Sequence, residues 1–302
     1  MPPNVSTVKT GQPRIGFLFD RDRAPEELAG FAAGLQDAGA DDLWVVEDLG
    51  WAGSVSSAAA ALAATDRLRV GIGIAPVPLR NPALLAMELA TLARMYPGRL
   101  ITGVGHGVAE WMRKVGAEPA GKLAMLEETI LAVRALLRGE TVSMRGREVT
   151  IDGLSLVHPP AQIPPIVTGV VRPRSLELSG RVADGTIIAE GNGPAQVAAA
   201  LTHIGRGRMT SDLASHELIV FAFLHIDDDV RRAAETTGET LAGQAAWLGL
   251  PPEELFTLIG PATTIPQRID ALHDAGATTI VLRPLGPNPL GQAREALKAL
   301  GR

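Results

Sequence analysis

Eight short apolar runs, separated by longer segments of helical periodicity, recur along this 302-residue chain. They are Ile15–Phe19, Leu43–Glu47, Leu68–Ile74, Leu100–Val104, Pro165–Thr168, Thr186–Ala189, Leu218–His225 and Thr279–Leu282. Most are continuously apolar rather than alternating, which is the pattern of parallel strands covered on both faces. Parallel neighbours need a long crossover connection, usually a helix. The intervening segments supply it. Leu28, Phe31, Leu35 and Ala38 share one helical face, and so do Leu123, Leu126, Ile130, Val133 and Leu137. Gly139 suits a helix stop and Pro82 a first helical turn.

One turn is repeated. LQDAGADDLWV at Leu35–Val45 and LHDAGATTIVL at Leu272–Leu282 each read as a helix end, a glycine and a strand, with RVADGTII at Arg181–Ile188 a looser third copy. The same unit at the start, middle and end favours one closed architecture over two unlike domains. The expectation is an α/β fold, a single (β/α)8 TIM barrel over residues 13–302 behind a flexible N-terminus, residues 1–12. A doubly wound open sheet is the alternative. Two stretches interrupt the pattern and read as insertions in the connecting loops. Residues 138–165 resemble a β-hairpin with Arg145–Arg147 at its turn, and residues 237–261 are an extra, partly helical stretch.

Composition narrows the function. The net charge is −5 and the Lys and Arg residues are scattered, so no nucleic-acid partner is expected. No cysteine is present, which excludes disulfides, thiolate metal sites and a cysteine nucleophile. His158, His203, His216, His225 and His273 show no ligand spacing, so no metal is expected. No membrane is expected either, because no apolar run reaches spanning length and the start lacks a signal-type apolar stretch. The reading is a cytoplasmic protein acting on a small molecule.

In a parallel barrel the site lies where strands give way to helices. Glu47, Asp48 and Trp51 follow the second run; Gly71, Gly73, Ile74, Ala75 and Pro76 close the third. Gly103, Gly105, His106, Gly107 and Val108 follow the fourth, and Gly169, Val170, Arg172, Pro173, Arg174 and Ser175 the fifth. Glycines on neighbouring strand ends would let backbone approach a ligand, although each alone would equally serve a tight turn. Gly103–Gly107 spells GxGxG, which is not the dinucleotide fingerprint. Gly169 before Arg172, Arg174 and Ser175 at a helix start resembles a phosphate site, with the two arginines equally readable as surface residues. The catalytic candidates are His106, Asp48, Glu47 and Glu110. Glu47 and Asp48 are adjacent, so only one should point inward from an extended segment. Glu110 lies about one helical turn beyond His106. Trp51 and Trp111 would wall a planar cofactor or simply pack at the rim.

Longer segments resemble a known family. ExLG at Glu47–Gly50, VGIGIAPVPLRNPALLA at Val70–Ala86, GRLITGVGHGVAEWMRKVG at Gly98–Gly116, LLRGETV at Leu136–Val142 and PPIVTGVVRPRSLELSGRVADGTI at Pro164–Ile187 resemble the luciferase-like monooxygenase superfamily. Within it the chain is most similar to the coenzyme F420-dependent oxidoreductase branch, of which methylenetetrahydromethanopterin reductase is a member. The resemblance implies a (β/α)8 barrel with a flavin or deazaflavin ring over the strand ends, and often a homodimer. It implies a non-prolyl cis peptide at Gly73–Ile74, forming a bulge with Ala75 that backs the ring. It assigns His106, Gly107 and Val108 to the ring or its ribityl chain. The phosphate falls to Gly169, Val170 and Arg172 to Ser175.

There is a departure. Sugar dehydrogenases of this branch place a histidine after strand two and a glutamate after strand four as acid and base, where this chain has Asp48 and a stretch with Val108 and Glu110. Hydride transfer from F420 to an activated C=C or C=N bond demands less side-chain chemistry and is the leading expectation. An FMN-dependent monooxygenase using reduced flavin and O2 is the alternative. A non-redox barrel enzyme, or a binding protein for a phosphorylated metabolite, is a second. Against a Schiff-base enzyme, no lysine stands at any of these strand mouths.

Overall fold

Every strand that the apolar runs predict is a stave of one closed wall. The computed structural model describes residues 11–302, so the N-terminal segment expected to be flexible lies outside the described residues except for Gly11 and Gln12. The chain proceeds through β1 (Arg14–Leu18), α1 (Leu28–Asp37), β2 (Asp42–Val45), α2 (Ser54–Ala63), β3 (Arg69–Pro76), α3 (Pro82–Met95) and β4 (Leu100–Gly105). It continues with α4 (Ala109–Lys114), α5 (Lys122–Leu137), β5 (Val142–Arg145), β6 (Thr150–Leu154), β7 (Ile166–Gly169), α6 (Pro173–Val182) and β8 (Gly185–Ile188). It ends with α7 (Pro194–Arg208), β9 (Glu217–Ile226), α8 (Val230–Leu248), β10 (Leu258–Gly260), α9 (Ile265–Asp274), β11 (Thr279–Pro284) and α10 (Pro289–Ala299).

Strands β1, β2, β3, β4, β7, β8, β9 and β11 pair in that order, all in parallel. The β8–β9 register, from Gly185↔Glu217 to Ile188↔Val220, closes the ring. The alternative of an open sheet is overturned by that pairing.

Two apolar layers hold the barrel. One lies between strands and helices and includes Phe17, Leu35, Leu62, Leu89 and Leu100, all buried. The other fills the interior with Leu18, Trp44, Ile101, Val167, Ile187, Ile219, Phe221 and Val281. Trp44 is fully buried and meets Phe221 edge-on at 5.4 Å between ring centroids. So large a side chain needs small neighbours: a Cβ on Gly71 would overlap the indole, and one on Gly73 would lie 2.9 Å from Phe221.

The N-terminal end of the barrel is closed by charge. Arg69 grips fully buried Asp42 through both carboxylate oxygens at 2.8 Å, and Arg14 adds a bond at 2.9 Å. Glu217 accepts from Thr279 at 2.6 Å and joins the same cluster through Arg69 at 3.4 Å. Bidentate pairing of this kind compensates the desolvation of a buried carboxylate.

Both interruptions are insertions. β5 and β6 form an antiparallel hairpin between α5 and β7. Its turn falls slightly later than expected, because Arg145 still pairs with Thr150 and the Gly146 amide donates to the Val149 carbonyl. Glu128 of α5 secures the turn by accepting from the amides of Arg147, Glu148 and Val149 at 2.8–2.9 Å. The second stretch is only half of its element. Thr237 stands inside α8, which starts earlier, behind an Asp229 side chain that caps the amides of Arg231 and Arg232. Its end forms β10, which runs parallel to the last residues of β9.

Candidate active site

At the C-terminal end of the barrel the strand mouths enclose a cavity of about 270 Å³. Its floor is Gly73, Ile74, Gly169, Ile187 and Phe221, and His106, Gly107, Val108 and Trp111 form one wall. Glu47, Asp48 and Glu190 bring carboxylates to it, and Val170, Val171, Arg172 and Ser175 enter from the start of α6. A neighbouring cavity of about 450 Å³ shares Val170, Val171, Arg172 and Trp247 with the first and runs between α6 and α7.

The floor has a specific construction. The Gly73–Ile74 peptide bond is cis, as the family resemblance implies, and the β3–β4 register shifts between Ile72 and Ala75. Ile74 is thereby laid across the barrel mouth. A Cβ on Gly169 would lie 2.7 Å from its Cγ2, and one on Gly105 3.0 Å from its Cδ1. A Cβ on Gly103 would overlap the Ile72 carbonyl oxygen. Several of the glycines that the sequence suggests for ligand approach therefore clear space for the protein's own bulge and for Trp44. Ala75 is fully buried and lies outside the cavity lining.

His106 and Ser175 join two mouths. His106 Nε2 lies 3.1 Å from Ser175 Oγ, while Nδ1 is buried without a hydrogen-bond partner among the described residues. Burial, helped by the nearby Lys122 charge, holds the imidazole below its usual pKa and therefore neutral near pH 7. Ser175 itself is buried in the first turn of α6. That helix opens with Pro173 and has no side-chain cap, so its first amides are presented to the space beside Ser175.

The three carboxylates suggested as acids or bases separate. Glu47 is tied down: its carboxylate accepts from Arg80 Nε at 2.9 Å and Nη2 at 2.5 Å, and from the amide and hydroxyl of Ser54 at the start of α2. Asp48 pairs with Arg21, whose guanidinium lies 4.6 Å over the Trp51 ring. Both residues line the cavity, because β2 ends at Val45 and the irregular segment beyond it removes strict alternation. Glu110 lies on the exposed side of α4, bonded to Lys114 at 2.9 Å, and takes no part in the lining. A further carboxylate in the lining, Glu190, is not singled out by the sequence, although it directly follows the sixth apolar run.

The arginines separate too. Arg172 reaches both cavities, whereas Arg174 faces a surface groove with Glu127 and Glu177. The Trp51 and Trp111 rings lie 6.4 Å apart, tilted by 40°, but only Trp111 lines the cavity. Trp247 near the end of α8 also lines the cavity, a residue hidden in the stretch of weakest pattern.

Comparisons place this geometry among known proteins. A family model described as luciferase-like monooxygenase matches residues 5–279. The chain is 25% identical over 313 residues to 5,10-methylenetetrahydromethanopterin reductase of Methanolobus tindarius, covering 91% of this chain and 94% of that one. It is 31% identical over 194 residues to the F420-dependent glucose-6-phosphate dehydrogenase of Nakamurella multipartita, covering 60% of this chain and 57% of that enzyme. The chain thus spans little more than half of that relative. In fold it superposes on the coenzyme F420-dependent tetrahydromethanopterin reductase of Methanopyrus kandleri with a TM-score of 0.84 at 20% identity, over 97% of this chain and 98% of that one.

Proposed function

The chain belongs to the luciferase-like monooxygenase family, and from that premise we propose that it is an oxidoreductase acting with coenzyme F420 on a small organic substrate. One observation carries the reading: an apolar floor made by the Gly73–Ile74 bulge lies beside the uncapped start of α6. A planar ring suits the first and its phosphate the second. The residues fit such a group. The Ser175 hydroxyl, the α6 amides and Arg172 would hold the phosphate; Ile74, Gly107 and Val108 would meet the ring. The names of the two relatives that act through F420 support the choice of cofactor.

When bound, F420 gives or accepts a hydride at its deazaflavin ring. The protein's contribution is positional. Ile74 would back the ring, Trp111 and Trp247 would restrict water, and neutral His106 would orient Ser175. Glu47 is consumed by Arg80 and Ser54 and serves as structure rather than as an acid. A homodimer and a cytoplasmic location belong to the same reading.

Parallel titrations of the purified protein with F420 and FMN test it. Micromolar F420 binding with negligible FMN binding is expected. FMN binding instead would move the chain to the flavin monooxygenases, with oxygen uptake as the assay. Binding of neither would overturn the proposal.

A further inference from the structure

The charges around the cavity are unevenly placed. Around the arc from β8 through β9, β11 and β1 to β2, the mouths of β8, β11, β1 and β2 carry Glu190, Arg283, Asp20 and then Glu47 and Asp48. Each arginine on this arc is already committed. Arg283 Nε donates to Asp20 at 2.7 Å, Arg80 is held by Glu47 and Glu88, and Arg21 by Asp48. His106, across the cavity, is neutral near pH 7. The one arginine in the lining is Arg172, on the side of the α6 start.

Glu190 differs from the other two carboxylates. Glu47 accepts four hydrogen bonds and Asp48 one from Arg21. Among the described residues the Glu190 carboxylate has only the 3.6 Å ion pair to Arg283 Nη1, too long for a hydrogen bond. Its backbone is fixed all the same, because Gln244 of α8 donates to its carbonyl at 2.7 Å. Arg283 is held in place by Asp20 and by the Phe223 ring at 5.5 Å. The result is a positioned carboxylate with unused acceptor capacity in a largely apolar chamber that Trp111 and Trp247 also line.

We infer that Glu190 is the substrate-recognition residue of this cavity and that it selects a compact, apolar substrate bearing a protonated or N–H-bearing nitrogen, while the acidic arc rejects carboxylate and phosphate substrates. This rests on the proposed function only in that substrate and cofactor share the cavity. An ammonium would give Glu190 the charge-assisted bonds it lacks. An anion would meet three carboxylates and no uncommitted cation except Arg172, beside which the cofactor phosphate belongs. Rejection by unpaired like charge is a general route to specificity.

The test uses three probes that share a ring and differ in head group: benzylamine, benzyl alcohol and benzoate. Each is titrated by calorimetry into the full chain, with and without saturating F420, for the wild type, E190Q and E190D. Benzylamine is expected to bind tightest and benzoate weakest. E190Q should weaken benzylamine about tenfold or more and leave benzyl alcohol nearly unchanged, and E190D should retain part of the preference. An unchanged benzylamine affinity in folded E190Q overturns the inference. So does a wild type that binds benzoate as well as benzylamine, a ranking that needs no variant to fold. The F420 titration separates the two readings. Loss of F420 binding with the amine preference intact removes the cofactor, while F420 binding without the preference removes the role of Glu190.

Discussion

The indole of Trp44 occupies the space that a Cβ on Gly71 would need. These residues sit on adjacent strands at paired positions, Trp44↔Gly71, inside the barrel. Gly71→Ala is therefore an overpacking change and is expected to destabilise by about 1–3 kcal/mol. Urea unfolding measures it. Adding Trp44→Leu should recover part of the loss in the double variant, since the two sites share one space. Strict additivity would show that the clash is not the cause.

Ser175 carries the second prediction. Ser175→Ala removes a hydroxyl that the proposed function gives to the cofactor phosphate. It should weaken F420 binding roughly tenfold with at most a modest loss of thermal stability, because among the described residues the one side-chain bond lost is that to His106. Gly169→Asp would be a poorer probe, since any Cβ there displaces Ile74 from the floor. Wild-type affinity in Ser175→Ala would remove the phosphate from this helix.

A pH effect should come from His216, far from the cavity. Its Nδ1 faces the Ala183 carbonyl at 3.1 Å and its Nε2 the Thr186 hydroxyl at 2.8 Å. Burial, with the charge of Arg208, lowers its pKa to about 4 against the opposing pull of Ala183 and Asp184. The folded pKa is depressed, so between about 4 and 6.5 the unfolded chain binds the extra proton. The stabilisation is complete above pH 6.5 and is lost as pH falls toward 4, by at most about 3 kcal/mol. Urea midpoints of the wild type should drop over this range more steeply than those of His216→Gln. Parallel profiles would refute the assignment.

At the opposite end from the cavity, Arg69→Met should cost about 3 kcal/mol. It strips the bidentate partner from fully buried Asp42 and leaves only Arg14. Cofactor affinity of the folded variant should not change. A loss of affinity without a loss of stability would argue against a purely structural floor.

Much of this was legible in the chain. The eight apolar runs became the eight barrel strands because continuous burial on both faces is a property of the residues themselves. The hairpin between α5 and β7 was visible for another reason: its strands are half-exposed and break the helical pattern around a polar turn. The glycines were legible only in part: sequence records that a side chain is missing, but not whether open cavity, indole or carbonyl fills the gap. Glu110 and Arg174 looked suitable by spacing, yet each is turned outward by its helix. Glu190 and Trp247 escaped notice differently. A lone acid after a strand and a tryptophan on a polar helix become informative only when the barrel brings them to the same opening.

The length of β9 has a further consequence. Its first residues pair with β8, and its last, Leu224 to Ile226, pair with β10. Leu224 also pairs with Pro284 of β11, so β10 extends the edge that β8 leaves vacant. The excursion that carries Trp247 thus departs from β9 and is pinned back beside it, its two feet one strand spacing apart, about 4.8 Å. Ring closure is complete without it. Lengthening such a loop costs little, since closure entropy grows only with the logarithm of length. The segment that brings Trp247 to the cavity is in effect a replaceable fitting, since neither the ring of strands nor the bulge depends on it.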